Sequence, residues 1–269
     1  MPTRLSFQGY LTHLADESAT FADALTGVPD DRPVPTCPEW SALDLAHHLT
    51  QVQSFWSAVV RGPLLTTEQV EQVDAPPHEA TLAAQVAALR AAAASLHAGL
   101  AATAPETPAW TWATEQTIGF IARRQALEVL VHSLDAQLTA GRRTPMDPAL
   151  AADGVDEALR VMFAGCPPWG RITPTGLRPV RFTCLDTGHC WDVYPARFTG
   201  TDTDGVSHDD PDIVVAQADP HVGSAGEVTG ISEDLLCWLW GRPTTGPVTQ
   251  SGDPATLTAV AQALAHPIT

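Results

Sequence analysis

Residues 41–56 read SALDLAHHLTQVQSFW and set the structure of the first half of the chain. Ser41 followed by Asp44 is a helix-capping pattern, and Trp40 and Leu45 can pack across that cap. Apolar residues then recur three or four positions apart, on one helix face: Leu45, Leu49, Val52 and Trp56. The pattern predicts an amphipathic helix that begins at Ser41 and runs to about residue 60.

Three further segments of the first half have helical periodicity. They cover about residues 5–26, 80–104 and 114–140, and Gly141 after the last of them is a typical helix C-cap. Moderate connections join the four segments, so we expect an all-helical four-helix bundle.

The second half changes to alternating patterns rich in β-branched and aromatic residues. The segments RPVRFTCLD, HCWDVYP, PDIVVAQ and EVTGI are predicted strands, with helices beginning at Ser232, near Asp253 and at about residue 151. A turn at residues 186–188 would place Cys184 opposite Cys190. We therefore expect an α+β protein with two domains, residues 1–148 and 149–269.

The composition excludes several classes of function. The 269-residue chain has 31 acidic and 14 basic residues, a net charge of −17 that repels nucleic acids and anionic membranes. All basic residues are arginine, so Schiff-base and pyridoxal-phosphate enzymes and P-loop lysines are excluded. The absence of lysine and asparagine, whose codons are A/T-rich, indicates a GC-rich genome. No apolar run spans a membrane and no signal peptide is evident, so a cytoplasmic location is expected.

Three polar residues lie beside the apolar stripes of the second and fourth helices. His48 borders the first stripe, whereas His47 lies about 100° further round. Glu128 and His132 are one turn apart and flank the fourth-helix stripe of Ile118, Ala122, Val129 and Ala136. Two histidines and one glutamate are a catalytic zinc set with one open position. The alternative is a Glu128–His132 hydrogen bond beside a core histidine.

Other side chains near these residues have two interpretations each. Arg124 either binds an anionic cofactor or substrate, or pairs with Glu128 or Asp135. Asp44 either orients His48 or only caps its helix. Trp40 either lines a ligand cleft or belongs to the core.

Three motifs, TCPEWSALDLAHHL, ARRQALEVLVHSLDA and EVTGISEDLLCWLWGR, occur in this order along the chain. Together they resemble the mycothiol-dependent maleylpyruvate isomerase family of actinobacteria. The resemblance implies an N-terminal DinB-like four-helix bundle that binds zinc and a C-terminal α+β domain related to sterol-carrier folds. It maps the metal ligands onto His48, Glu128 and His132, and a functional arginine onto Arg242.

The resulting hypothesis is a zinc enzyme that uses the thiol mycothiol to isomerise or thiolate an electrophilic, unsaturated small molecule. Arg242 would bind a carboxylate of the substrate, and Arg124 and Trp40 would contact the cofactor. The rival hypothesis is a metal-bearing protein that binds or senses a small molecule without turnover. A zinc hydrolase is disfavoured because no further carboxylate is placed as general base.

Overall fold

The computed structural model describes residues 4–167 and 169–265 and divides into two compact units. One unit comprises Leu5–Pro145, and the other consists mainly of the chain from Met146 onward. The first is mostly helical and the second mixes helices with a six-stranded sheet. The expected two-domain α+β fold is thus confirmed. No helix among the described residues is long and apolar enough to cross a membrane.

Four long helices form the bundle of the first unit. Helices α1 and α2 each pack against both α4 and α5. The unit's elements are α1 (Phe7–Leu25), β1 (Pro33–Val34), β2 (Cys37–Ser41), α2 (Ala42–Arg61), α3 (Thr67–Val70), α4 (Leu82–Ala101) and α5 (Ile118–Thr139).

Each long helix begins after a serine or threonine whose hydroxyl accepts a backbone N–H. Ser41 accepts from the N–H of Asp44, and the Asp44 carboxylate accepts from the N–H of Ser41, which confirms the predicted cap. The fourth long helix starts at Ile118 rather than near residue 114, because the Thr117 hydroxyl accepts the N–H of Phe120 there.

The expectation that this unit is entirely helical is wrong in one segment. The proline-rich stretch before α2 forms an antiparallel pair of short strands, β1 and β2, in which Pro33 pairs with Ser41 and Val34 with Cys37. Prolines exclude a helix here but are tolerated in edge strands. This hairpin carries Thr36 and Trp40 to the start of α2.

The second unit is built on a sheet in the order β3-β5-β4-β7-β8, with β6 paired to β5. Most neighbouring strands are antiparallel, whereas β4 and β7 are parallel. The elements are α6 (Pro148–Glu157), a π-helical turn (Ala158–Phe163), β3 (Gly170–Pro174), β4 (Val180–Cys184), β5 (Cys190–Thr201), β6 (Ser207–Gln217), β7 (Gly226–Gly230), α7 (Ser232–Leu239), β8 (Thr249–Gly252) and α8 (Pro254–Ala263).

The β4–β5 connection differs from expectation by one residue. Thr183 lies opposite Cys190, and the Cys184 N–H donates to the carbonyl of His189, so the turn has four residues instead of three. Cys184 therefore does not face Cys190 directly. Burial raises the pKa of the Cys184 thiol to about 11, which keeps it protonated and unreactive at neutral pH.

Candidate metal centre

The three predicted ligands, His48 from α2 and Glu128 and His132 from α5, come together inside the helical unit. The Oε1 atom of Glu128 lies 3.5 Å from Nε2 of His48 and 3.4 Å from Nε2 of His132. One possible ligand atom from each residue lies within 4.8 Å of the other two. The arrangement follows from helix geometry, because residues four apart share a face of α5 and α2 packs against that helix.

These separations are long for hydrogen bonds but suit ligands of a common ion. Two ligand atoms at about 2.1 Å from a tetrahedral zinc are about 3.4 Å from each other. A nitrogen–oxygen contact of that length is a weak hydrogen bond at best. The three side chains thus converge without satisfying one another.

The second carboxylate oxygen of Glu128 is already engaged. Arg124, one turn earlier on α5, pairs with Oε2 of Glu128, and both side chains are largely buried. The ion pair reduces the cost of burying the carboxylate and directs Oε1 toward the histidines. Of the two interpretations of Arg124, pairing with Glu128 is therefore realised.

His132 is held from its other side by a buried carboxylate. Its Nδ1 atom lies 2.9 Å from Oδ2 of Asp135, which is fully buried. The hydroxyl of Thr36, in the β1–β2 hairpin, donates to Oδ1 of Asp135 at 2.6 Å. Such a carboxylate–histidine pair leaves Nε2 of the imidazole for a metal.

His48 is electrostatically suited to act as a ligand. Burial lowers its pKa to about 4, helped by the nearby His132, while Asp135 acts in the opposite direction. Its imidazole is therefore neutral at pH 7, which is the form that coordinates metals.

Trp40 flanks the centre on the side of the hairpin. Its ring centroid lies 4.8 Å from that of His48 and 6.3 Å from that of His132. An aromatic wall beside two imidazoles limits access of water and offers a flat apolar surface to a ligand.

His47 and Asp44 do not join the centre. The His47 ring packs 4.3 Å from that of His78, and Nε2 of His78 lies 3.8 Å from Oδ1 of Asp44. The helical phase that separated His47 from His48 is thus observed, and Asp44 contacts its capping partner Ser41 and His78. Asp44 therefore does not orient His48, but Asp135 makes a comparable contact with the other histidine, His132.

Sequence reasoning missed the roles of Asp135 and Thr36. The spacing in HSLD was a usable signal, since residues three apart on a helix are neighbours. Thr36 had no such signal, because its contact joins residues 99 positions apart.

Arg242 lies in the other unit, just after α7. Its backbone N–H donates to the carbonyl of Cys237. The preceding residue, Gly241, has a φ of +67°, which turns the chain out of the helix. The Arg242 guanidinium donates to the carbonyl of Trp240 at 2.7 Å. These contacts terminate the helix, which is the expected structural contribution of an arginine at this position.

Comparisons with known proteins match both halves of the chain. Residues 11–137 match the mycothiol maleylpyruvate isomerase N-terminal domain, and residues 149–259 match the C-terminal domain of the same family. No curated protein matches the chain.

Two solved structures share the fold over almost the whole chain. They are crystal structures of the mycothiol-dependent maleylpyruvate isomerase and of a histidine-to-alanine mutant, with TM-scores of 0.57 and 0.56. Each is 13% identical in sequence, and each alignment covers 93% of this chain and 95% of the other. Because both family domains are present in order, the chain belongs to the mycothiol-dependent maleylpyruvate isomerase family.

Proposed function

We propose that this protein is a zinc-dependent enzyme that uses mycothiol to isomerise or thiolate an electrophilic, unsaturated small acid. The observation that carries the proposal is the convergence of His48, Glu128 and His132 on one point in a chain of this family. A solved structure with the same fold is that of a mycothiol-dependent maleylpyruvate isomerase.

The donor set fits a divalent metal with an open position. Two neutral imidazole nitrogens and one carboxylate oxygen are common in catalytic zinc sites, which retain a place for water or a ligand. Arg124 occupies the other oxygen of Glu128, so that residue supplies a single donor. When bound, zinc lowers the pKa of a coordinated thiol or water and so supplies an anionic nucleophile at neutral pH.

The remaining residues of the site bind and orient. Trp40 provides a flat apolar wall beside the two histidines, and Arg124 places positive charge next to the carboxylate. We assign both to cofactor contact, in addition to the ion pair that Arg124 makes. Addition of a thiol to a conjugated cis double bond leaves a single bond that can rotate. Elimination of the thiol then restores the double bond as the trans isomer, and if the thiol is retained the product is thiolated.

Arg242 is proposed to hold the carboxylate of the substrate. Such an acid develops enolate-like charge during addition, which a guanidinium stabilises by charge-assisted hydrogen bonds. Helix termination by Arg242 is the competing explanation.

The boundary between the two domains is proposed at residues 148 and 149, supported by the family match that begins at residue 149.

The test measures conversion of maleylpyruvate by zinc-loaded protein with and without mycothiol. We expect turnover only with the thiol, and loss of turnover after chelation and in His48→Ala but not in His47→Ala. Equal rates with and without thiol would refute the cofactor assignment. Stoichiometric metal without turnover of any unsaturated acid would favour the non-catalytic binding protein.

Arg242 is tested beside an arginine that only supports a helix end. Arg242→Ala should lower the rate by about 10²–10³-fold with unchanged metal content. The matched variant is Arg142→Ala, since Arg142 donates to the carbonyls of Asp23 and Ala24 at the end of α1. Equal activity in both variants would leave Arg242 with helix termination alone.

A further inference from the structure

We propose that Asp135 and Thr36 form a positioning device that fixes the tautomer and orientation of His132, and thereby sets the affinity of the centre for metal. The inference rests on the metal site of the proposed function but not on its thiol chemistry. Neither residue has a ligand atom in the cluster of His48, Glu128 and His132.

The hydrogen-bond pattern determines which nitrogen of His132 carries the proton. Asp135 is fully buried, and each of its carboxylate oxygens faces a group that can donate: Thr36 at 2.6 Å and His132 Nδ1 at 2.9 Å. As an ionised carboxylate, Asp135 can only accept hydrogen bonds, and Nδ1 of His132 is then the donor. In the neutral imidazole, the form that binds a metal, the lone pair then lies on Nε2, which is the atom 3.4 Å from Glu128 Oε1.

Thr36 restricts Asp135 in turn. A donor on each oxygen fixes the plane of the Asp135 carboxylate and with it the imidazole. Because Thr36 lies in the β1–β2 hairpin and Asp135 on α5, the bond also links the segment that carries Trp40 to the ligand helix. The Asp135 side chain thus links His132 of the metal centre to the β1–β2 hairpin, although Asp135 is not itself one of the three ligands.

The geometry provides a closely matched control. Thr139, one turn beyond Asp135 on α5, is buried whereas Thr36 is half-buried, and the Thr139 hydroxyl donates to the backbone carbonyl of Asp135 at 2.8 Å. Thr36→Val and Thr139→Val therefore make the same chemical change, and each removes one hydroxyl that donates to Asp135. Thr36→Val removes the donor to the carboxylate, and Thr139→Val removes the donor to the backbone carbonyl.

The first measurement is zinc affinity of the folded full-length variants by chelator competition. We expect a loss of about 10–100-fold in Asp135→Asn, as for other carboxylates behind a metal-bound histidine. Thr36→Val should lose several-fold, and Thr139→Val should bind like the wild type. Wild-type affinity in both Thr36→Val and Asp135→Asn would overturn the proposal, as would equal losses in Thr36→Val and Thr139→Val.

The second measurement requires neither metal nor turnover, and remains available if Asp135→Asn folds poorly. Nitrogen NMR of ¹⁵N-histidine-labelled, metal-free protein reports which ring nitrogen is protonated, with His132 assigned from His132→Gln. We expect the Nδ1–H tautomer in the wild type and a larger share of Nε2–H in Thr36→Val. An Nε2–H tautomer in the wild type, or no change in Thr36→Val, would refute the device. Absence of thiol-dependent turnover with these results intact would refute the proposed function alone.

Discussion

Helices α4 and α5 have similar lengths but opposite relations to solvent. In α4, 7 of 20 residues are buried, and Gln85 is the one polar residue among them. In α5, 19 of 22 are buried, among them eight polar or charged ones: Arg123, Arg124, Gln125, His132, Ser133, Asp135, Gln137 and Thr139. Burial of so many polar groups is costly unless they are partnered. The contrast sets α5, which carries Glu128 and His132 of the proposed metal centre, apart from α4, whose buried residues are almost all apolar.

The strongest test of this contrast is to remove the possible metal ligands of α5 and, as a control, the histidine of α4. Full-length His132→Ala and Glu128→Ala should lose zinc affinity by more than about 100-fold, because ligand loss exceeds the 10–100-fold effect of residues behind ligands. His97→Ala on α4 should retain one metal per chain. Metal analysis after dialysis measures both. Stoichiometric metal in the Glu128→Ala, His132→Ala double variant would rule out this centre.

The buried ion pair on α5 should have the next largest effect. Arg124→Met leaves the Glu128 carboxylate without its guanidinium in a largely buried position. Breaking such a pair typically costs about 3–5 kcal/mol of unfolding free energy. Denaturant unfolding of the metal-free protein measures the loss, and zinc should restore part of it. Arg90→Met on α4, whose partner Asp23 is exposed, should cost less than about 1 kcal/mol. Similar losses in the two variants would contradict the contrast.

Two buried glutamines give a finer comparison. On α4, Gln85 accepts from the N–H of Glu79 and donates to the hydroxyl of Thr50. On α5, Gln125 is 1% exposed, and its Oε1 has no hydrogen-bond partner among the described residues. Gln85→Leu should therefore cost about 1–3 kcal/mol, whereas Gln125→Leu should be neutral or stabilising. Melting temperatures of the metal-free variants measure the difference in stability. A larger decrease in Gln125→Leu than in Gln85→Leu would show that Gln125 is the better-partnered glutamine.

The smallest expected effect is that of removing His47, the neighbour of the ligand His48 on α2. His48→Ala should lose metal, whereas His47→Ala should retain it, because His47 packs against His78 instead of the centre. Metal retained by His48→Ala and lost by His47→Ala would show that α2 binds through its other face.

The sequence was sufficient for features that depend on local spacing. The capping pattern at Ser41, the face shared by Glu128 and His132 and the opposite phases of His47 and His48 are each set within one or two helical turns. The burial of α5 on nearly all its faces was not predictable, because its polar residues resemble an exposed face until their partners are known. The carboxylate behind His132 was missed although the spacing in HSLD offered a local signal for it, whereas its partner Thr36 lies 99 positions away.

The two strands of the sheet that were missed, β3 and β8, have weak local signals. β3 (GRITP) ends in proline, and β8 (TQSG) is short, polar and exposed along its whole length. Both form because a longer neighbour, β5 or β7, offers its backbone for pairing. That information lies elsewhere in the chain.

The burial of α5 also restricts how the length of this chain can change. One residue inserted between Glu128 and His132 would turn everything beyond it by about 100°, so His132 would leave the centre and Asp135, which turns with it, would lose the hydrogen bond from Thr36. Because α5 is enclosed on all sides, it cannot shift along its axis to absorb the extra residue. Insertions and deletions should be tolerated instead in the exposed connections at residues 71–80 and 102–106, where no side chain contributes to the centre.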